Sequence, residues 1–547
     1  MRRTRLALFA FAAVPLATGL SATALSAQNH DGHDGGPTMP RGFDEPMPLH
    51  HDGKGLGPFT RSITTDSEQA QLYFDQGLQL LYAFDPNLAA RSFREAWKYD
   101  PECAMCYLGE AWAWGPYLNG PMVSDDAPRA HHAIMRAMEL RDGADPVERA
   151  LIEAMAVRYE HTHERDRRRE LDEAWAEKVN ELYEAHPSDL DIGFLAGESL
   201  MLLQPRREWW EIGNPEIRRI HTVLESVLDQ DITHPGACHL YVHATERTVV
   251  PEKAEACAEH LGSSIPGASH IQHMPSHTFN RVGRWAESVR GNLAAWHSDQ
   301  KAEHGLGFAI YPSHNLHMLF FAAANDAQAG VAIQATRDYA KLMDDGQFYT
   351  ALLMMRFGRF EEMLAMEDDT PGGTIFRGLW DAAMGYAHLK TGNPGKARRL
   401  LAGVRQAARE AGDSQSFRRH PGEDLLGIMA GILEGEIARS EGDHDSAIAA
   451  LEAAVEIEDG LMYDEPEPLP FSARHWLGDV LHETGRHEEA AEVFRAELVD
   501  HPHNAWSLFG LERSLRALGR EAEADEVQVE FEEASARSDV WIRGPIF

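Results

Sequence analysis

Almost nothing in this chain alternates apolar with polar residues for long enough to make a strand, which excludes sheet and barrel folds. Basic residues are scarce beside acidic ones: 51 Lys and Arg stand against 87 Asp and Glu, a formal net charge of −36. That excludes nucleic acid as a partner, because a phosphate backbone is gripped by excess cation, and it disfavours an anionic membrane surface. Long apolar runs are missing after the first 27 residues, so no membrane span is expected in the remainder. The nucleophile elbow, the phosphate-binding glycine loop and the dinucleotide fingerprint are absent from any suitable setting. Cysteine is limited to four positions. Cys103 and Cys106 have CxxC spacing, but no second CxxC completes a zinc ribbon, and Tyr107 stands where haem attachment needs histidine. A structural role is expected for this pair. Cys238 and Cys257 are candidates for a disulfide between the two helices of one hairpin.

What is present begins with a targeting pattern. Arg2, Arg3 and Arg5 precede an apolar stretch from Leu6 to Leu25, and Leu25-Ser26-Ala27 ends it in small residues. Residues 1–27 read as a signal peptide, with Pro15 and Gly19 arguing against a spanning helix. A periplasmic or secreted location follows. Residues 28–60 are rich in Gly, Pro, Asp and His and are expected to be disordered. His30, His33, His50 and His51 would bind metal there only weakly.

From Asp66 onward the apolar period is helical and nearly continuous. Gly77, Ala89, Phe93, Ala96 and Pro101 form one spacing, and Gly478, Ala490, Phe494 and Pro502 repeat it. Weaker copies stand at Gly385, Ala397 and Leu401, and at Gly435, Ala447, Leu451 and Ala454. Small residues let two helices approach, the aromatic fills the space between them, and proline ends the second helix. This is the tetratricopeptide pattern. The fold expected is all-α, a right-handed α-solenoid of helical hairpins. Residues 61–232 would form N-terminal repeats, with hairpins near 126–161, 167–204 and 214–232. Residues 233–345 would form a central histidine-rich section and 346–547 the C-terminal repeats. Residues 464–470, Asp-Glu-Pro-Glu-Pro-Leu-Pro, read as an extended joint.

The histidines of the central section are regularly placed. His239 and His243 are four apart, as are His273 and His277; His270 precedes the second pair, and His314 and His317 follow later. Such spacing puts each pair on one helix face. His239 to His273 and His243 to His277 are both 34 residues, the tetratricopeptide period. Two imidazoles at i and i+4 can grip one ion, and adjacent helices are close enough for their side chains to meet. His239, His243, His270, His273, His277, His314 and His317 are therefore the candidate metal ligands. Seven exceed what one tetrahedral zinc needs, so one or two ions are expected. A set without thiolate points to copper or zinc. Glu246 is the candidate general base, if not a ligand or a group that orients an imidazole. Tyr241 and Tyr311 are further acid/base or contact groups. His260, His297 and His304 lie off the pattern and read as surface residues, and Met354, Met355, Met363 and Met366 as core packing.

The motifs Phe74-Asp-Gln-Gly-Leu, Asp100-Pro-Glu-Cys-Ala-Met-Cys-Tyr-Leu-Gly, His273-Met-Pro-Ser-His277, Arg281-Val-Gly-Arg284, Tyr311-Pro-Ser-His314-Asn-Leu-His317 and Asn504-Ala-Trp-Ser-Leu-Phe-Gly-Leu cover most of the chain after residue 60. By them the protein resembles a group of exported bacterial tetratricopeptide-repeat proteins. The resemblance implies the fold and export, and it implies that the histidine positions of each first helix face the concave groove. It supplies no reaction. Three readings stand. The first is a metal-dependent oxidoreductase or hydrolase acting on a small molecule or peptide in the groove. The second is a non-catalytic adaptor binding a peptide or protein. The third is metal storage or delivery.

Overall fold

Phe93 shows why the chain stacks as hairpins. It lies on the helix Pro86–Tyr99, which packs on Glu68–Tyr82. Its ring fills a slot that a Cβ at Gly77 or at Gly109 would invade, so both glycines are held by the aromatic between them. Phe494 sits in the same way between Gly478 and Gly510, four hundred residues along. Phe93, Ala89, Ala96, Phe494 and Ala490 are all fully buried, so the spacing read in the sequence is a packing rule. Asp85 caps the second helix by accepting from Leu88 N, and Pro86 takes the first helical position, where no donor is needed.

The structure, a computed structural model, describes residues 37–50, 55–368 and 372–547. The signal peptide expected at 1–27, and His30, His33 and His51, lie outside them. Twenty-five α-helices make up the described chain, and its one sheet is a ribbon of Ser416–Phe417 against His420–Pro421. The fold is an all-α solenoid of helical hairpins. The hairpins expected near 126–161 and 167–204 are the pairs Ala127–Leu140 with Pro146–Ala156 and Arg165–Ala185 with Leu190–Leu203. The third differs: 214–232 holds one helix, Pro215–Leu228, whose next partner is the histidine-bearing Pro235–Thr245. No described helix is long and apolar enough to cross a membrane.

Disorder does not extend over all of 28–60. Phe43, Met47 and Leu56 are buried against the first hairpin. Tyr73 Oη donates to Met47 O at 2.8 Å, and the backbone N–H groups of His50 and Gly57 donate to the Gln76 and Gln79 side chains at 2.9 and 2.8 Å. Three apolar residues and two buried glutamines suffice to hold a Pro- and Gly-rich segment that composition alone marks as unstructured.

Two apolar cores run through the molecule, one from Phe43 to Ile310 and one from Trp285 to Ile542. The histidine-rich helices lie where they meet, and the chain closes over that seam. Trp285 Nε1 donates to Pro502 O at 2.8 Å, Trp506 Nε1 to Ala324 O at 2.9 Å and Tyr349 Oη to Pro468 O at 3.0 Å. Arg206 pairs with Glu465 at 3.2 Å. The non-helical joint after His444–Asp459, expected to be a linker, is thus a strap laid across the interior.

Replacing Phe494 by alanine leaves a void between two glycines that cannot fill it. Urea unfolding is expected to show a loss of about 3–5 kcal/mol.

Candidate metal centre

Three helices deliver the imidazoles. Pro235–Thr245 carries His239 and His243 one turn apart, capped by the His234 side chain, which accepts from Ala237 N. The next pair straddles a proline: His273 ends Ser269–His273, and His277 lies in Pro275–Arg281. Pro275 removes one backbone donor without breaking the helical path, because Met274 keeps helical dihedrals. The third helix, Pro312–Asn325, starts after Tyr311, whose φ of 55° turns the chain sharply. Its start is tied to the second helix: Phe308 N donates to Gly267 O at 2.8 Å and Ile310 N to Ser269 Oγ at 2.8 Å.

The side chains meet in two groups. His239, His243 and His270 form one, and His273, His277 and His314 the other; in each, one donor atom per residue lies within 4.8 Å of the others. A metal held by nitrogens at 2.0–2.1 Å needs nitrogens about 3.3 Å apart, so each group is within small rotamer changes of a site. His317 is not brought in. It sits beside Phe320, and its Nε2 faces Tyr349 Oη at 3.2 Å. The other six candidates divide between the two groups, with His270 beside His239 and His243 and His314 beside His273 and His277.

Groove exposure is the other expectation that changes. His239, His243, His270, His273 and His277 are buried and His314 is partly buried: the Phe84 ring lies against the first three, and Glu465 of the strap reaches His277. Burial pushes the pKa of His239, His243, His270, His273 and His314 well below the ordinary imidazole value, and neighbouring imidazoles add to it. These rings are therefore neutral, the form that binds metal. At His277 burial also pulls down, but the Glu246 charge overrides it and the pKa ends above its usual value.

The hydrogen bonds fix which nitrogen carries each proton. His239 Nδ1 lies 2.6 Å from Tyr82 O, which can only accept. His277 Nδ1 lies 2.5 Å from Glu246 Oε2, again an acceptor. His273 Nδ1 lies 2.7 Å from Asn292 Oδ1, and the Asn292 amide is oriented by its own N–H donating to Ser288 O at 2.9 Å. His239 and His273 hold their proton at Nδ1 and present a lone pair at Nε2, while His277, whose Nδ1 proton is on Glu246, is favoured to carry a second proton at Nε2. His273 Nε2 and His277 Nε2 are 2.8 Å apart. That distance suits a proton shared between the two nitrogens, and a metal ion held by both would need them moved to about 3.3 Å.

The first group has a related deficit. His239 Nε2, His243 Nε2 and both nitrogens of His270 are buried with no hydrogen-bond partner in the protein. An unsatisfied buried polar group costs about 1–3 kcal/mol, and four together rival a typical total stability of about 5–15 kcal/mol. A bound cation would offset part of that penalty by taking one lone pair from each of the three rings.

Glu246 is fully buried between His243 Nδ1 at 3.4 Å and His277 Nδ1 at 2.5 Å. Both oxygens are occupied in orienting imidazoles, so the general-base role gives way to a positioning one. Tyr241 points away and donates to Glu225 Oε1 at 2.6 Å. Tyr311 stays near, its ring 5.0 Å from His270 and its hydroxyl 3.1 Å from that of Tyr117. Sequence reasoning missed Asn292 and Glu465. Glu465 Oε2 lies 3.6 Å from His277 Nδ1 and joins His243, Glu246 and His277 in a third group of possible ligands. The strap also walls a cavity of about 500 Å³ lined by Arg247, Arg281, Tyr463, Arg474 and His501. A void of about 20 Å³ beside it reaches His277 and Glu465. Both cysteine pairs are disulfides, Cys103–Cys106 and Cys238–Cys257, so no thiolate is available as a ligand. His260, His297 and His304 are exposed, and Met354, Met355 and Met363 are buried in the C-terminal core.

Residues 432–505 match the tetratricopeptide repeat family. Among solved structures the chain is similar to the Cut9–Hcn1 hetero-tetramer of APC/C, with 12% identity over 86% of this chain and 76% of that one, at a TM-score of 0.29. It is likewise similar to human IFIT1 crystallised as a dimer with PPP-AAAA, with 12% identity over 86% and 92%, at 0.28. The TPR domain of P58(IPK) aligns at 10% identity over 82% and 98%, with a TM-score of 0.22. No curated protein matches the chain.

Asn292→Ala frees the His273 ring and is expected to weaken metal binding about 10- to 100-fold in a competition titration. His317→Ala in the same titration leaves affinity unchanged.

Proposed function

We propose that this protein is a helical-repeat scaffold that carries a histidine-held metal centre, copper or zinc, in its closed interior. What supports this reading is the convergence of six imidazoles in two groups of three, with His239 Nε2, His243 Nε2 and both nitrogens of His270 buried without a partner in the protein. An all-nitrogen donor set suits copper and zinc. The two disulfides suit an oxidising compartment, which supports export to the periplasm or beyond.

Tetratricopeptide repeats are interaction scaffolds, and the family match over 432–505 favours a protein or peptide partner over turnover. The geometry of the interior agrees with that preference. The void that reaches His277 has room for about one water, not for a peptide or an organic substrate, and Glu246 is already engaged. The second reading is therefore an adaptor without metal, in which His277 is an imidazolium held by Glu246 and shares its proton with His273.

Elemental analysis separates the two. Protein purified without metal-affinity steps is expected to hold stoichiometric copper or zinc, and the His239/His243/His273/His277→Ala variant to hold none while keeping its helical circular dichroism. Folded wild-type protein free of metal, and unable to take it up after dialysis, would establish the adaptor reading instead.

A further inference from the structure

We propose that the centre is a pair: two metal ions side by side, one on His239, His243 and His270 and one on His273, His277 and His314, bridged by a small anion of the hydroxide or azide class. This rests on the metal-centre reading above and goes beyond it in number, spacing and ligand.

The division into two triads is the first support. Each triad brings three donor atoms within 4.8 Å of one another, and no histidine belongs to both. Ring centroids within the second triad are 4.5 to 5.7 Å apart, and in the first His239 lies 5.1 Å from His243 and 5.0 Å from His270. Across the triads the spacing is no larger: His243 to His277 is 5.5 Å and His270 to His273 is 5.6 Å. Two ions seated in these triads would be neighbours, in the range where paired metal sites share a ligand.

Charge supplies the second support. The triads contribute neutral imidazoles, so two divalent ions bring four positive charges into a buried site. The carboxylates close by are Glu246, fully buried, and Glu465, whose charge is already shared with Arg206. Two carboxylates leave an excess of positive charge that a bridging anion would reduce, and three nitrogens leave each ion an open position to receive it. The first triad is also screened on one side, with the Phe84 ring 4.0 Å from His239, 5.7 Å from His270 and 5.9 Å from His243. The second triad is the one reached from outside, by the small void that touches His277 and Glu465.

The test is copper loading of the chelator-stripped full chain. The pair predicts two Cu(II) per chain and a paramagnetic resonance signal far below two spins, because a bridging anion couples the ions. Added azide is expected to produce a new charge-transfer absorption. His314→Ala and His270→Ala, each disabling a different triad, should both bind one Cu(II) and show a full one-spin signal. One copper per wild-type chain, or two with uncoupled full-intensity signals, overturns the pair while leaving a metal centre in place. No copper in folded wild-type protein removes the metal centre itself.

Discussion

His273 Nε2 and His277 Nε2 face each other at 2.8 Å because Asn292 and Glu246 hold the two rings by their Nδ1 atoms. The rest of the interior depends on that constraint. Asn292 can accept only because Ser288 O holds its amide the right way round, and Glu246 can bridge His243 and His277 only because it is one turn beyond His243 on the same helix. Each of these partners lies outside the two histidine triads, and Asn292 and Glu246 each remove a rotational choice from a ring inside them. Preorganisation of this kind is how outer groups raise metal affinity.

Closure of the solenoid makes the arrangement matter energetically. In an open groove, water would satisfy every ring nitrogen and the histidines would titrate near their ordinary values. Phe84 against the first triad and the strap from Leu461 to Ala473 beside His277 exclude that water, and burial lowers the pKa of five rings and leaves nitrogens without partners in the protein. The same exclusion that favours a bound cation leaves little space for a substrate beside it. A repeat scaffold with a sealed interior is built to hold something in place, and its outer surface remains available to a partner.

The repeats were legible in the sequence because their packing is local. Phe93 with Gly77, and Phe494 with Gly478, lie within one hairpin, and small and aromatic residues at fixed spacing specify that contact. The histidine pairs were legible for the same reason, since i and i+4 on a helix share a face. His317 misled because it continues that spacing from His314, yet its side chain turns to Tyr349. Glu465 was not legible at all. It sits nearly 190 residues beyond His277 in an acidic, proline-rich joint, and only the return of the C-terminal repeats over the seam brings it there. Groove exposure failed for the same long-range reason: no hairpin contains the information that another will cover it.

X-ray absorption at the metal edge tests the central claim most directly. In protein loaded with copper or zinc, the inner shell should consist of nitrogen and oxygen at about 2.0 Å, with the outer-shell scattering of at least three imidazole rings and no sulfur. An inner shell of oxygen alone, or one without imidazole scattering, would contradict it.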